Sequence, residues 1–189
     1  MNETELVARA RQGEQAAWST LIEQHQTAVF RLAYLLLANN DEAKDVAQET
    51  FIRAFQALSH FDSARPLRPW LLSITTNLAR NQRRAIGRYL AALGRFFQIG
   101  AEPPLAANPG EIHLQQWQAQ QLWQAVRRLD RKDQEIIYLR YFLELSVAET
   151  AEITRLPSGT VKSRLHRSLG RLRAVLETEF PNLAEERAE

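Results

Sequence analysis

Residues 155–173 read RLPSGTVKSRLHRSLGRLR, a run with six Lys or Arg and no acid in a chain whose formal net charge is only +2. With Val161 at the origin of a helical wheel, Leu165, Leu169 and Leu172 fall within about 80 degrees of it, which predicts a buried apolar stripe. Ser163, His166 and Arg167 lie opposite, flanked by Thr160 and Lys162. Pro157 or Ser158 starts this helix, Gly159 allows close backbone approach, and the free amides of the first turn favour a phosphate. Just before it, SVAETAEIT (146–154) reads as a helix of eight or nine residues with the small Ala151 facing the turn. Two such helices joined by Arg155, Leu156 and Pro157 form a helix-turn-helix pattern, whose second helix enters the major groove of duplex DNA. A basic amphipathic helix that only covers a core is the plainer reading of the same charges.

Helical periodicity also runs through the rest of the chain, and no stretch alternates as a strand does, so the expected class is all-α. Upstream of the helix-turn-helix, HLQQWQAQQLWQAVRRL (113–129) turns Leu114, Trp117, Leu122, Val126 and Leu129 inward, and RKDQEIIYLRYFLE (131–144) follows. These segments make the second domain a four-helix unit. Between Gly94 and Gly110, GRFFQIGAEPPLAANPG holds three prolines and three glycines without a sustained period and reads as a flexible linker. The expected organisation is therefore two small helical domains, 1–93 and 113–178, joined by a linker over 94–112 and followed by an acidic tail over 179–189.

In the first domain, LVARARQG ends a short helix at Gly13, and one or two helices continue to a stop at Asn39 and Asn40. A further helix from Asp41 to Leu58 carries Val46, Ala47, Thr50, Ala54 and Ala57 on one side, with Asp41, Asp45, Gln48 and Glu49 as a polar stripe opposite. SHFDSARPLRP (59–69) reads as a loop, because Arg68 precedes a proline and Pro69 suits a first helical position. The helix that follows opens a second basic block: from Ser63 to Ala101 there are seven Arg and no Asp or Glu. Two separate cationic surfaces suggest an extended polyanion, with the acidic patch at 39–50 free for another partner.

Composition excludes several classes. Hydrophobic residues make up 45% of the chain, enough for packed cores. LAYLLLA (32–38) is far short of the roughly 20 residues that cross a bilayer. The first residues, MNETELVARARQG, carry acids where a secretory signal has bases, so the expected location is the cytoplasm. Zero cysteines exclude disulfides and thiolate metal sites. The four histidines, at 25, 60, 113 and 166, show no metal-ligand spacing, and no Gly-rich phosphate loop or nucleophile and base pair is evident. No enzyme, cofactor or metal is expected, although Asp41, Asp45 and Glu49 could bind a cation.

LSVAETAEITRLPSGTVKSRLHRSLGRLR (145–173) resembles the carboxy-terminal DNA-binding region of bacterial RNA polymerase sigma factors, in particular the small extracytoplasmic-function (ECF) group. DEAKDVAQETFIRAFQALSHFD (41–62) and PWLLSITTNLARNQRR (69–84) resemble the same family independently. The resemblance runs from about Leu6 to Leu172. It implies core RNA polymerase as a partner, through the β′ clamp helices and the β subunit, with Asp41, Asp45, Gln48 and Glu49 in contact. It implies promoter DNA as the ligand, the minus-ten element being captured by Phe61, Arg68, Trp70 and Asn77, with Arg80, Arg83 and Arg84 on phosphates. Phe61 and Trp70 can instead be read as core aromatics, Trp70 in part. The minus-thirty-five element is read as duplex through Lys162, Ser163, His166 and Arg167, with Ser158 and Thr160 at the helix start. Arg164 and Arg171, at the edge of that face, serve phosphates or the domain's own surface. Such proteins are often held inactive by an anti-sigma protein, and no small-molecule substrate is implied.

The chain departs from the family pattern at Leu67, Arg68 and Pro69, at Thr150 and Thr154 in place of aliphatic residues, at Arg155 in place of a common glycine, and at Asp130 in place of a frequent proline. A stand-alone helix-turn-helix regulator with a ligand-sensing or dimerising first domain is the alternative. Binding to core polymerase separates the two.

Overall fold

The computed structural model describes residues 2–94 and 114–180, and among these every regular element is helical. The expected linker and acidic tail lie outside the described residues, apart from their edges, as do the side chains of Leu114 and Trp117. Among the described residues no helix is long and apolar enough to cross a membrane.

Helix α1 spans Glu3–Arg11, with acids in its first turn and bases in its last, the distribution that its dipole favours. Gly13 reverses the chain at φ 87°, a left-handed conformation suited to glycine. Helix α2, Gln15–Leu37, is a single helix. It ends at Ala38 in the left-handed region, one residue before the expected Asn39–Asn40 stop. Asn39 has the opposite role: its side-chain oxygen accepts from the Asp41 and Glu42 amides at 3.0 and 3.1 Å and caps the next helix. A short amide side chain is worth more at an N-cap, where donors are orphaned, than as a breaker.

Helix α3 covers Asn40–Ala57, and a 3₁₀ turn, Leu58–His60, extends it. Helix α4 covers Leu67–Gly94. Its start corrects the expected loop: Arg68 is already helical and Pro69 sits third in the first turn. Proline costs no hydrogen bond anywhere in that turn, where amides have no intrahelical partner. The Leu67 amide instead donates to the Glu3 carboxylate at 3.1 Å, and the other oxygen of Glu3 meets the buried His25 at 3.0 Å. One α1 carboxylate thus ties α2 and α4 together. Burial lowers the His25 pKa, against the raising effect of Glu3. Leu21, Leu32, Leu58, Leu67, Leu71 and Leu72 are nearly inaccessible between α1 and α4.

The second group comprises α5 (Leu114–Arg128), α6 (Arg131–Ile137), a π turn (Tyr138–Phe142), α7 (Val147–Thr154) and α8 (Ser158–Glu179). Asp130 caps α6 by accepting from the Lys132 and Asp133 amides, both at 2.9 Å, which explains an acid at a position where a proline is frequent. Val126 and Leu129 are buried and Leu122 half-buried, as the periodicity predicts. On α8 the stripe is shifted from the expected one. Leu169 is 36% exposed, whereas Ser168 is fully buried, its hydroxyl donating to the Arg164 carbonyl at 2.9 Å. Steps of four, three and four residues through 161, 165, 168 and 172 follow the 3.6 period, and Leu169 lies one residue, about 100 degrees, past that line.

The two groups are in contact. Helix α4 packs against α7, α2 touches the π turn, and one apolar core runs through both.

Candidate nucleic-acid interface

Three surfaces are set up by this packing. The first is the helix-turn-helix. Ser146 and Glu149 form a capping box at the start of α7: the Glu149 amide donates to the Ser146 hydroxyl at 3.1 Å, and the Ser146 amide donates to the Glu149 carboxylate at 2.7 Å. These bonds hold the Glu149 carboxyl below its ordinary pKa. The buried Thr150 and Thr154 replace aliphatic side chains without leaving a polar group unmatched, since their hydroxyls donate to the Ser146 and Thr150 carbonyls at 2.8 and 2.7 Å. Arg155 then takes φ 58°, the left-handed cap that a glycine would fill more easily, and the Leu156 amide closes the turn on the Ala151 carbonyl at 3.0 Å. Ile153 and Val161 bury the contact between the two helices.

Beyond the turn, α8 has no side-chain cap, so its first amides face outward unfilled. A Cβ on Gly159 would meet nothing within 4 Å, which leaves open space over the helix start. Ser158, Lys162, Ser163, His166 and Arg167 are exposed and Thr160 is half-exposed. Arg167 lies along the helix, its Nε donating to the Ser163 carbonyl at 3.3 Å. Arg171 is engaged within the domain by Asp133 and, at 3.6 Å, by Asp130.

The second surface runs along α4. Phe61 is 6% exposed and packs against the half-buried Trp70, the ring centroids 4.7 Å apart and the planes tilted by 37°. In this conformation Phe61 is a core side chain that braces Trp70. Arg11 from α1 fixes the turn beneath it by donating to the Leu58 carbonyl at 2.9 Å and to the Phe61 carbonyl. Asn77, Arg80 and Arg84 follow Trp70 at helical spacing, Asn77 half-exposed and Arg84 donating to Asn81 at 3.0 Å. The second helical group occupies part of this face: Arg68 donates to the Leu143 carbonyl at 2.9 Å, Arg80 is bidentate on Glu135, with one contact at 3.1 Å, and Arg65 pairs with Glu152. Arg83 has no carboxylate partner among the described residues. Its guanidinium pKa is lowered first by burial and then by the positive charge of Arg131.

The third surface is on α3. Asp41, Asp45 and Gln48 are exposed, and Glu49, half-exposed, pairs with Arg53 at 2.6 Å. Beside this stripe lies an open groove that sequence reading missed, lined by Trp18, Ile22, Phe51, Ile52 and Phe55. Ile52 and Phe55 are 45% and 51% exposed, high for large apolar groups. The signal that could have found them is their place on α3, outside the inward line of Val46, Thr50 and Ala54. No three His, Cys, Asp or Glu side chains assemble as metal ligands among the described residues.

Comparison with known proteins follows the same division. The Sigma-70 region 2 family model matches residues 21–89 and the Sigma-70, region 4 model matches residues 119–172. The chain is 33% identical over 179 residues to the ECF RNA polymerase sigma factor SigW of Bacillus subtilis, covering 90% of this chain and 94% of that protein. It is 31% identical over 172 residues to the ECF RNA polymerase sigma factor SigL of Mycobacterium tuberculosis, covering 90% and 95%. Among solved structures, CnrH in complex with the cytosolic domain of CnrY superposes with a TM-score of 0.69 at 26% identity, over 94% of this chain and 98% of that one. The sigma factor RpoE of Bartonella quintana, in complex with the anti-sigma factor NepR, gives 0.68 at 26% identity, over 85% and 97%.

Proposed function

The chain belongs to the ECF group of RNA polymerase sigma factors, which direct transcription initiation, and from that premise we propose a division of labour among its three surfaces. The α3 surface docks on core polymerase, at the β′ clamp helices. Its acidic stripe of Asp41, Asp45, Gln48 and Glu49 supplies charge complementarity, and the apolar groove beside it supplies the desolvated centre that binding energy needs. Helix α4 and the loop before it capture the minus-ten element, with Arg68, Trp70 and Asn77 at the bases, Phe61 bracing Trp70, and Arg80, Arg83 and Arg84 on phosphates. Helix α8 reads the minus-thirty-five element in the major groove through Lys162, Ser163, His166 and Arg167, while Ser158, Thr160 and the unfilled amides take a phosphate.

The domains that carry these roles are 1–93 and 113–178, joined over 94–112. The protein works in the cytoplasm, where the polymerase is, and performs no covalent chemistry. An anti-sigma protein is a further partner, as the complex of RpoE with NepR illustrates for a relative.

The observation that carries this reading is that one chain presents an acidic and apolar docking face apart from two cationic faces. A stand-alone regulator would use the first to dimerise or to hold a ligand, and binding to core polymerase separates the two readings. The test is run-off transcription with purified core enzyme on a genomic fragment library. Defined start sites that depend on added protein are expected; failure to bind core at low ionic strength would refute the proposal.

A further inference from the structure

The short loop that leads towards Trp70, residues 62–66, is fastened at both ends by one helix. Arg11 on α1 donates from Nε to the Leu58 carbonyl at 2.9 Å and from a terminal nitrogen to the Phe61 carbonyl, where the 3₁₀ turn ends. Glu3 on α1 accepts from the Leu67 amide at 3.1 Å, where α4 starts. Its second oxygen is held at 3.0 Å by His25, whose side chain is 10% exposed. Glu3, Val7 and Arg11 follow one line of α1 at steps of four residues, which sets the two charged residues about 12 Å apart along its axis. Val7, 1% exposed, seats that line on the core.

Each charge has the sign that its helix end favours: a cation on the carbonyls that close the 3₁₀ extension of α3, and an anion on the first amide of α4. Inside the loop the amide bonds are local, from Ala64 to the Asp62 side chain and from Arg65 to the Asp62 carbonyl, both at 3.0 Å. They shape a turn but do not set where its ends stand. We propose that Glu3 and Arg11 are positioning residues for minus-ten capture: α1 is a bracket that fixes the span of 62–66, and so the pose of Trp70, without meeting DNA. The proposal rests on the minus-ten reading of this loop and α4. A loop held in its bound shape ahead of contact loses less freedom when unpaired bases enter it, and a site that does not yield rejects the wrong bases more sharply.

The readout is base discrimination by the holoenzyme. One fork-junction template carries the single-stranded minus-ten element of a promoter that run-off transcription identifies, and a second has every base of that element transverted. The ratio of the two affinities cancels the fraction of active protein, so a variant that merely folds less well leaves it unmoved. Arg11→Ala should lower the ratio by about tenfold, the equivalent of one charge-assisted hydrogen bond. Arg11→Lys, which keeps a cation over the two carbonyls, should restore part of that loss. Glu3→Gln, which keeps an acceptor for the Leu67 amide, should restore most of what Glu3→Ala loses. A loop freed at one end is no longer clamped, so Glu3→Ala with Arg11→Ala should lose about as much as the worse single variant, not the product of the two.

Glu3→Ala leaves the buried His25 without its carboxylate, so Arg11→Ala, at an exposed position, keeps the test readable should the Glu3 variants fold poorly. A ratio unmoved by Arg11→Ala would overturn the bracket, and an affinity loss equal on both templates would make Arg11 a phosphate contact instead. Losses that multiply in the double variant would overturn it too, as the mark of two independent contacts. A wild-type ratio near one is a separate failure: it would sink the minus-ten reading, and the bracket with it.

Discussion

Arg167 and Arg155 stand twelve residues apart in the helix-turn-helix and ask different things of the chain. Arg167 is exposed on the outer face of α8, held among the described residues only by a bond to its own helix at 3.3 Å, so it can extend to a base edge at little structural cost. Replacing it with Ala should weaken promoter recognition by about 1 to 3 kcal/mol at one minus-thirty-five position. Affinities measured on a panel of single-base promoter variants check this, and an equal loss at every base would argue for a phosphate contact. Arg155 bears a conformational cost. At φ 58° an L side chain crowds the backbone, by about 1 to 2 kcal/mol, although glycine would give part of that back through the freer unfolded chain. Arg155→Gly should therefore stabilise the protein by up to about 1 kcal/mol in a denaturant titration, with no change in base preference. A destabilised variant would mean that the Arg155 side chain makes up its backbone cost elsewhere.

At the scale of helices, α3 is where docking can be separated from folding. Its inward line of Ala43, Val46, Thr50 and Ala54 is buried, so the exposed stripe can be recharged without touching the core. Asp45→Lys with Glu49→Lys should abolish binding to core polymerase, measured by co-migration, while the melting temperature and duplex binding through α8 stay close to those of the parent. Unimpaired co-migration would refute the docking assignment. Phe55→Ala should weaken core binding by about 2 kcal/mol or more if the groove is the desolvated centre of the contact. Much of this element scale was legible in the sequence, because caps, periods and turns are local signals. The helix-turn-helix, the α3 stripe and the helical class were read from spacings of three and four residues. The misplacements have local causes too: Asn39 serves as a cap as readily as a stop, Pro69 fits any position of a first turn, and Ser168 takes the buried place expected for Leu169 because its hydroxyl is satisfied by its own helix. What was not legible is the contact between α4 and the second helical group. Arg80 and Glu135 are 55 residues apart, and no periodicity encodes which acid a distant arginine will meet. The groove at Ile52 and Phe55 was missed for a related reason, since an apolar side chain reads as core until the core is seen to be full.

For the whole molecule, phosphate neutralisation is counted across both domains at once. Each arginine or lysine that takes a phosphate releases counterions, and the affinity falls with salt by a power of about 0.7 per contact on single strands and about 0.9 on duplex. Arg83 and Arg84 are the α4 arginines of the phosphate set with no carboxylate partner among the described residues; Arg80 must first give up Glu135, and that exchange of one anion for another dilutes its contribution. Arg83→Ala with Arg84→Ala should thus reduce the slope of log affinity against log salt, for promoter-complex formation by the holoenzyme, by about 1.5. Arg80→Ala alone should reduce it by less than half as much, since wild-type Arg80 brings no free charge to the DNA while it is paired. The comparison distinguishes two descriptions of the same basic block. If charge alone matters, the three arginines contribute equally and the slopes fall in proportion to the number removed. If the second domain has already engaged one of them, the order of effects follows the ion pairs, and an unchanged slope for the double variant would remove Arg83 and Arg84 from the phosphate-binding set.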